Sequence, residues 1–332
     1  MQDQSRKLKI VLFTGYACSN RCVFCIAADK RSLPGRTTEE LLTSVYCAKK
    51  QGAEILEIIG GEATIRPDFP ALVRAAKKLG ISQVACATNG RAFSDPALAR
   101  AVVSAGIDSL IFSIHGPSAA VHDALTAAPG SFAELRRGLL NLKRLGFTRI
   151  GGNTTVVKGN MRSLPGLARL YIGLGIKTVE YIFVDPNHGG ARNDFYRLTP
   201  RISAAAPYMR RALRLGLASG FDQWKVRYVP LCHFKGYEEQ ISEMNELALF
   251  RTEHWAPDFK NTDAAGSRRE VGRRRTAACK GCARRDDCEG LWVEYLDRYG
   301  DGELKPIKYR KTASYHTRPG VFSNPAPELR EK

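Results

Sequence analysis

The stretch Leu8-Lys-Ile-Val-Leu-Phe13, followed closely by Gly15-Tyr-Ala-Cys-Ser-Asn-Arg-Cys-Val-Phe-Cys25, decides how this chain is interpreted. The apolar run has the length of a buried strand. The loop after it holds Cys18, Cys22 and Cys25 in the spacing C-x3-C-x2-C. Structural zinc sites and typical [4Fe-4S] clusters take four protein ligands. Three cysteines therefore predict either a distant fourth ligand or a metal position left open for a substrate or cofactor.

Short apolar runs alternate with amphipathic segments from residue 8 to about residue 185. The runs that we predict as strands are residues 9–13, 55–59, 83–87, 109–114, 149–157 and 179–184. The helical patterns, each followed directly by a glycine, are residues 38–51, 69–79, 95–105, 131–145 and 164–174. Six βα repeats predict an α/β fold with a parallel sheet, either open or curled into a barrel.

Further local signals refine this outline. Thr37-Thr-Glu-Glu40 and Ser131-Phe-Ala-Glu134 have the pattern of capping boxes. Residues 186–190 interrupt the repeat, residues 202–220 have the pattern of one helix with a basic face, and the β/α rhythm ends near residue 228. For the arginines between residues 268 and 275 we predict a solvated, mobile loop, with anion binding as the alternative.

The bulk composition limits the class of protein. The chain has 332 residues, of which 44% are apolar and 25% charged, as in soluble globular proteins. No apolar run is long enough to span a membrane, and the N-terminus lacks the apolar core of a signal peptide, so we expect a cytoplasmic protein. The formal net charge of +18 favours an anionic partner, which could be nucleic acid, an acidic peptide or a phosphorylated molecule.

Seven of the nine cysteines fall into two groups, and clustered cysteines in a cytoplasmic chain indicate metal rather than disulfides. We predict Cys47 and Cys86, which stand apart, to be buried packing thiols. The second group is Cys279, Cys282 and Cys288, spaced C-x2-C-x5-C, with Cys232 upstream as the candidate fourth ligand. These four predict a closed thiolate site holding zinc or a [4Fe-4S] cluster, unless one metal position is left for the substrate.

Small polar residues follow several predicted strands on the rim that carries the cysteine loop. Gly60-Gly61-Glu62 follows the second strand, where glycines allow close approach to the backbone and a glutamate can accept hydrogen bonds from an ammonium group. Thr88-Asn89-Gly90 closes the third strand, Ser113 ends the fourth, and Asn153 lies in the fifth. Such residues serve equally well as ligand contacts or as local backbone caps.

The C-x3-C-x2-C loop with Phe24, together with Gly60-Gly61-Glu62, resembles the radical S-adenosylmethionine (radical SAM) enzymes. That resemblance implies a partial (β/α)6 TIM-like barrel and a [4Fe-4S] cluster on Cys18, Cys22 and Cys25 with SAM bound at its open iron. It also implies that Gly60, Gly61 and Glu62 contact the SAM amino group. By the same resemblance Phe24, Ser113 and Asn153 are cofactor contacts.

The second cysteine group resembles the C-terminal auxiliary-cluster regions called SPASM and Twitch. Trp292 stands where the full SPASM pattern has a further cysteine, so the shorter Twitch form fits better. The resemblance implies a second, auxiliary [4Fe-4S] cluster. It divides the chain into a barrel (1–190), a linker helix region (191–227), an auxiliary region (228–305) and a tail (306–332).

The expected function is reductive cleavage of SAM and hydrogen abstraction from a substrate, with net oxidation favoured by the auxiliary cluster. Relatives of this kind most often cross-link or dehydrogenate ribosomally made peptides, so we expect a peptide substrate, a leader-binding partner on another chain, and a flavodoxin or ferredoxin as reductant. The alternatives are a small anionic metabolite, sugar or cofactor precursor, or a non-catalytic metal-binding or electron-transfer protein that docks on nucleic acid.

Overall fold

The computed structural model describes residues 6–308. Residues 1–5 and 309–332, which include most of the predicted tail, lie outside the described residues. Within residues 6–308 no helix is both long enough and apolar enough to cross a membrane.

Strands and helices alternate through the first two thirds of the chain, as the periodicity predicts. The strands are β1 (Lys7–Phe13), β2 (Ile55–Ile59), β3 (Gln83–Thr88), β4 (Ser109–Ser113), β5 (Ile150–Val156), β6 (Thr178–Phe183), β7 (Trp224–Arg227), β8 (Phe250–Trp255), β9 (Lys260–Asn261), β10 (Arg273–Arg274) and β11 (Leu291–Trp292). The helices are α1 (Thr38–Lys50), α2 (Phe69–Lys78), α3 (Pro96–Ser104), α4 (Ala119–Thr126), α5 (Ser131–Arg144), α6 (Leu164–Gly173), α7 (Gly189–Asn193), α8 (Phe195–Leu198), α9 (Ile202–Ala218), α10 (Ser242–Leu249), α11 (Ala264–Ser267) and α12 (Val293–Tyr299).

Nine strands form one sheet in the order β7-β6-β5-β4-β3-β2-β1-β8-β9. Neighbouring strands are parallel except for β8 and β9. Because each of the first six strands leads through one or more helices to its parallel neighbour, the carboxyl ends of these strands share one rim. The predicted partial TIM-like barrel is confirmed, and it is wider than six strands because β7, β8 and β9 extend its two edges.

Alternation along the strands separates the helix-packed side of the sheet from its concave side. On β1, Leu8, Ile10 and Leu12 are buried in the main core, whereas the alternate residues Lys9 and Phe13 are only half-buried. The glycines predicted to end the five helices all adopt left-handed backbone conformations, with φ between +65° and +92°. The C-terminal ends of these five helices therefore follow directly from local signals.

One of the two predicted capping boxes is present. The Thr37 hydroxyl accepts from the Glu40 N–H (3.2 Å), and the Glu40 carboxylate accepts from the Thr37 N–H (2.7 Å). The prediction of a capping box at Ser131 is wrong. The Asp123 carboxylate, from the preceding helix, accepts from both the Ser131 hydroxyl and the Phe132 N–H (2.8 Å each), so a distant residue caps α5.

The prediction for the two isolated cysteines is half correct. Cys86 is fully buried in β3, as expected. The prediction for Cys47 is wrong, because it lies on the exposed side of α1, which turns Leu41, Val45 and Ala48 toward the core. Apolar neighbours in sequence did not identify the buried face, since a helix places adjacent residues about 100° apart.

The sheet crosses the predicted domain boundaries. β7 belongs to the predicted linker region, and β8 belongs to the predicted auxiliary region but pairs with β1 at the opposite side of the barrel. α10 lies between these two strands in the chain and contacts both. Residues 228–308 thus contribute to the barrel as well as to a separate region around β10 and β11, and the four-part division stays a prediction.

The segment predicted as a solvated, mobile loop, residues 268–275, contains two arginines that are bound to carboxylates of other elements, Arg268 and Arg273. Arg273 is buried, and only 9% of the Arg268 side chain is exposed. Arg268 forms two hydrogen bonds to Glu289 (2.9 Å each), and Arg273 pairs with Glu243 (3.4 Å). Arg268 also reaches Glu246 (3.3 Å), which is bound by Arg227. The prediction is wrong for these two arginines, because their partners are too far along the sequence to be recognised.

We expect Arg273→Ala to lower the free energy of unfolding by about 3–5 kcal/mol, because it leaves buried Glu243 and Glu289 without this cation. The matched control is Arg274→Ala, whose side chain is 58% exposed and whose contact with Asp297 spans 3.9 Å; we expect a change within about 0.5 kcal/mol. Urea denaturation of both variants tests this. Equal effects would contradict a structural role for the ion pairs that Arg273 makes with Glu243 and Glu289.

Candidate functional site

The cysteine loop leaves β1 and is bonded through its backbone to the turn after β2. The Gly61 N–H donates to the Gly15 carbonyl and the Glu62 N–H donates to the Ala17 carbonyl, both at 2.8 Å. A Cβ atom on Gly60 would lie 2.7 Å from the Gly15 oxygen, and one on Gly61 would lie 2.2 Å from the Ala17 oxygen. The two glycines are therefore required because the cysteine loop passes directly over them.

A second pair of glycines supports the other end of the loop. The Gly190 N–H donates to the Cys25 carbonyl (2.9 Å), and a Cβ atom on Gly189 would lie 2.2 Å from that same oxygen. Between the first two cysteines of the loop, the Arg21 N–H donates to the Thr126 carbonyl at the end of α4 (2.8 Å). The sequence shows 186–190 only as a break in the repeat, although two adjacent glycines were a visible signal of close backbone approach.

Arg91 and Asn89 hold the middle of the loop. Arg91 donates to the Ser19 carbonyl (2.5 Å) and to the Asn20 side chain (2.9 Å), and it is oriented by Glu134 (2.5 Å). Asn89 donates to the Ser19 hydroxyl (3.0 Å). Sequence reasoning marked Asn89 as a rim residue but missed Arg91, since nothing local shows that α5 supplies its carboxylate.

The three thiols of the loop are half-buried and make no disulfide. The Asn20 N–H points at the Cys18 sulfur at 3.3 Å, the kind of contact that stabilises a thiolate ligand. Burial, and then the neighbouring Cys25 and Cys18 sulfurs, raise the pKa of Cys22 to about 12. Neighbouring thiols ionise together only when a cation compensates their charges, so the chemistry of this donor set fits a metal centre.

Glu62 is fully buried, and its carboxylate is occupied by protein donors. It accepts from the Thr64 N–H (3.2 Å) and hydroxyl (2.6 Å), the Thr88 hydroxyl (2.7 Å) and the Asn89 N–H (2.5 Å). Burial raises the pKa of this carboxyl, and these four hydrogen bonds oppose that shift. The side chain ties the ends of β2 and β3 together, which leaves backbone atoms of the turn as the groups available to a ligand.

Ser113 and Asn153 are directly paired neighbours on β4 and β5. Both are half-buried, whereas the residues next to them on their strands, Phe112 and Thr154, are fully buried on the helix side. The strand alternation therefore places the Ser113 and Asn153 side chains together on the concave face. The two predicted cofactor contacts thus share one location, within the same barrel that carries the cysteine loop.

Phe24 joins an aromatic stack beside the loop. Its ring meets His115 edge-on at 4.8 Å, His115 stacks on His122 at 5.8 Å, and His122 contacts Phe132 at 5.5 Å. The His122 Nδ1 accepts from the His115 N–H (3.1 Å), and the His115 Nδ1 accepts from the Thr155 N–H (3.3 Å). Both imidazoles are held neutral in one tautomer, with the proton on Nε2.

The second cysteine group forms its own cavity. Cys232, Cys279, Cys282 and Cys288 all line one small cavity. Three of these sulfurs have backbone N–H groups within 3.5 Å, from Lys305 to Cys232, Ile307 to Cys282, and both Leu231 and Gly290 to Cys288. Four thiols that face one cavity, with N–H donors around them, fit a four-thiolate centre, although no three metal-binding side chains of residues 6–308 converge tightly enough for a single ion.

We expect the free energy of unfolding to fall as the pH falls from about 6.5 toward 4. Burial lowers the pKa of His115 to about 3, with His122 adding to the shift, and burial lowers the pKa of His122 to about 4. The unfolded chain takes up these protons near pH 6.5 and the folded chain does not, which costs up to about 1.4 kcal/mol per pH unit for each histidine.

Urea denaturation between pH 7 and pH 5 measures this slope. In His122→Asn the amide oxygen can still accept the His115 N–H, so we expect the slope to decrease by about one proton. The control is His188→Asn: the hydrogen bond to Asp185 raises the pKa of His188, so its loss should leave the slope unchanged or slightly steeper. A His122→Asn slope equal to that of the unmodified protein would contradict the neutral pair.

Comparison with known proteins agrees with this geometry. The model of the Radical SAM superfamily matches residues 12–170. An AdoMet-dependent heme synthase of Methanosarcina barkeri is 31% identical over 179 residues, which are 53% of this chain and 50% of that protein. The mycofactocin maturase MftC of Mycobacterium ulcerans is 33% identical over 156 residues, which are 47% of this chain and 42% of that protein.

Among solved structures, Streptococcus suis SuiB bound to precursor peptide SuiA is similar in fold. The TM-score is 0.63 at 14% identity, covering 93% of this chain and 76% of that one. The chain spans about half the length of the curated relatives it matches. The family match covers the cysteine loop, the glycine turn, and both Ser113 and Asn153. Residues 12–170 of this chain match the radical SAM superfamily, a superfamily of enzymes.

Proposed function

We propose that this protein reductively cleaves SAM and uses the 5′-deoxyadenosyl radical to abstract hydrogen from its substrate. The observation that carries the proposal is the three-thiol loop seated by backbone hydrogen bonds on Gly60-Gly61-Glu62. Cys18, Cys22 and Cys25 would hold a [4Fe-4S] cluster with one iron open. Such a cluster supplies, when reduced, the electron that breaks the sulfonium bond of SAM.

The protein residues around this centre would bind and orient SAM. Because the Glu62 carboxylate is occupied, the turn offers backbone atoms of Gly60 to Glu62 to the SAM amino group. Ser113 and Asn153 on the concave face would contact its ribose or carboxylate, and Phe24 would pack beside its adenine. Fixing the cofactor in this way aims the radical at a single hydrogen of the substrate.

A second [4Fe-4S] cluster would be held by Cys232, Cys279, Cys282 and Cys288. Support comes from the cavity that the four cysteines share and from the N–H donors aimed at three of the sulfurs. This centre would accept one electron from the substrate radical. The net reaction would then be an oxidation, such as cross-linking or dehydrogenation.

For the substrate we propose a ribosomally made peptide, presented with a separate leader-binding protein. The net charge of +18 suits an acidic peptide, and SuiB, which shares the fold, was crystallised with a precursor peptide. The second candidate is a small anionic metabolite, sugar or cofactor precursor, because a heme synthase aligns with half of this chain. We propose a cytoplasmic location, since metal-binding cysteine clusters and a reductant such as flavodoxin both belong to a reducing compartment.

We expect Cys22→Ala to abolish SAM cleavage, because two thiolates cannot hold the first cluster. The measurement is 5′-deoxyadenosine formed from SAM with dithionite, after anaerobic reconstitution to about eight irons per chain, the content of two four-iron clusters. Cys47→Ala is the matched control, since Cys47 is exposed on α1 and far from both cysteine groups in sequence. If Cys22→Ala still forms 5′-deoxyadenosine, or if zinc occupies both sites, the proposed enzyme is the wrong class and a non-catalytic metal-binding protein is favoured.

We expect Cys282→Ala to keep SAM cleavage but to lose about four irons and the modified product, because only the second site is damaged. Mass spectrometry of candidate peptides, incubated with SAM and dithionite, measures the product as a loss of hydrogen mass. A variant that retains product formation would show that the second site is only structural.

A further inference from the structure

The turn between β8 and β9, residues 256–259, lies against both flanks of the cysteine loop. Because β8 runs parallel to β1, this turn leaves the sheet at the same rim as the loop. Asp258 in the turn accepts hydrogen bonds from the Tyr16 hydroxyl and from the Lys30 ammonium group (2.6 Å). Tyr16 stands two residues before the first cysteine of the loop, and Lys30 stands five residues after the third. One carboxylate therefore joins the beginning of the loop to its end.

Ring contacts and a backbone hydrogen bond fix the position of the turn. The Phe259 ring lies 6.0 Å from the ring of Phe13, the last residue of β1. The Lys30 ammonium group lies 5.0 Å from the centre of the Phe259 ring. Within the turn, the Ala256 N–H donates to the Phe259 carbonyl (2.8 Å). The hairpin thus presents Asp258 to the cysteine loop from a fixed place on the barrel.

Of the two hydrogen bonds at Asp258, the one from Tyr16 has the larger effect on the loop. Tyr16 is only 3% exposed, so removing its acceptor leaves the hydroxyl unpaired and away from water. The Lys30 and Asp258 side chains are 39% and 30% exposed, and ion pairs this accessible contribute little. Loss of the Asp258 carboxylate therefore acts mainly at Tyr16, directly before the cysteines.

We propose that the β8–β9 hairpin is part of the first cysteine site, and that Asp258 is a positioning residue that holds the loop in the geometry that binds SAM. This rests on the proposed function, which gives the loop a [4Fe-4S] cluster. The family match ends at residue 170, so the hairpin supports the site from outside the matched segment. If the loop samples other positions, the SAM affinity falls in proportion to the competent fraction, whereas the bound complex reacts as before.

Asp108 offers a matched control at the other end of the barrel. Its carboxylate accepts from Lys77 (2.8 Å) and from the Val84 N–H (2.7 Å), so it also joins a lysine to a second donor. Asp108 directly precedes β4, and the amino ends of parallel strands lie at the rim opposite the cysteine loop. Asp108→Ala therefore removes a comparable carboxylate without touching the first cysteine site.

The test compares Asp258→Ala, Asp258→Asn, Tyr16→Phe and Asp108→Ala in anaerobically reconstituted protein. Hydrogen exchange of backbone amides, followed by mass spectrometry, measures the order of residues 16–30. The EPR spectrum of the dithionite-reduced protein, recorded at increasing SAM concentrations, measures SAM binding at the first cluster. The rate of 5′-deoxyadenosine formation with dithionite at the same SAM concentrations gives kcat and KM.

We expect Asp258→Ala to raise the KM for SAM and the exchange rate of residues 16–30 at least about fivefold, with kcat within about twofold of the unmodified protein. The SAM concentration that changes the EPR spectrum should rise by the same factor as KM. Tyr16→Phe should shift all three in the same direction. Asp258→Asn keeps an oxygen that accepts from the Tyr16 hydroxyl, so its KM should stay within about twofold. Asp108→Ala should change the stability but neither the KM nor the exchange of residues 16–30.

An unchanged KM in both Asp258→Ala and Tyr16→Phe would overturn the proposal, as would an equal rise in Asp108→Ala. If Asp258→Ala does not fold, Tyr16→Phe, which keeps the carboxylate, makes the same test. If the unmodified protein does not cleave SAM with dithionite, the proposed function fails. The exchange rates then decide the positioning role alone, and equal exchange of residues 16–30 in Asp258→Ala and the unmodified protein would reject it.

Discussion

The close approach between the cysteine loop and the turn after β2 is the contact on which the site depends. The carbonyl oxygens of Gly15 and Ala17 lie where side chains at Gly60 and Gly61 would otherwise be. Because two hydrogen bonds of 2.8 Å fix this approach, the loop extends the β1–β2 pairing beyond the end of the sheet. The barrel thus sets the position of the thiols through backbone geometry rather than through side-chain packing.

A buried carboxylate strengthens this arrangement. Isolated in the protein interior, the Glu62 charge would be strongly disfavoured, and burial does raise its pKa. Four donors from Thr64, Thr88 and Asn89 offset that cost and join the loops after β2 and β3. Asn89 then reaches the cysteine loop through Ser19. The glutamate of the Gly-Gly-Glu turn therefore has a structural role here that its sequence pattern, which suggests only ligand binding, does not reveal.

The sequence predicted what is encoded locally. The glycine-terminated helix ends, the Thr37 capping box and the alternation of strands and helices depend on nearby residues. The partial barrel was implied by the family resemblance, and the match to the radical SAM superfamily confirms the family inferred from the cysteine spacing and the glycine turn. It could not show contacts whose partners are distant. Asp123 replaces the predicted cap at Ser131. Glu289 and Glu243 form ion pairs with Arg268 and Arg273. Strand β8 pairs with β1, although more than 200 residues separate them in the chain. Hydrophobic periodicity gives the type of an element but not its neighbours.

A chain of partly buried ion pairs links the barrel to the second cysteine group. It runs from Glu180 on β6 through Arg227, Glu246 and Arg268 to Glu289, which directly follows Cys288. Tyr228 lies beside this chain with φ of +64°, a conformation that costs a non-glycine residue about 1–3 kcal/mol. Its N–H donates to Glu243, and its ring packs against Trp292. Glu180 and Glu289, at the two ends of this chain, each accept two hydrogen bonds. The strained backbone at Tyr228 is therefore held in one conformation. These ion pairs hold the second cysteine group against β6 and β7 of the barrel.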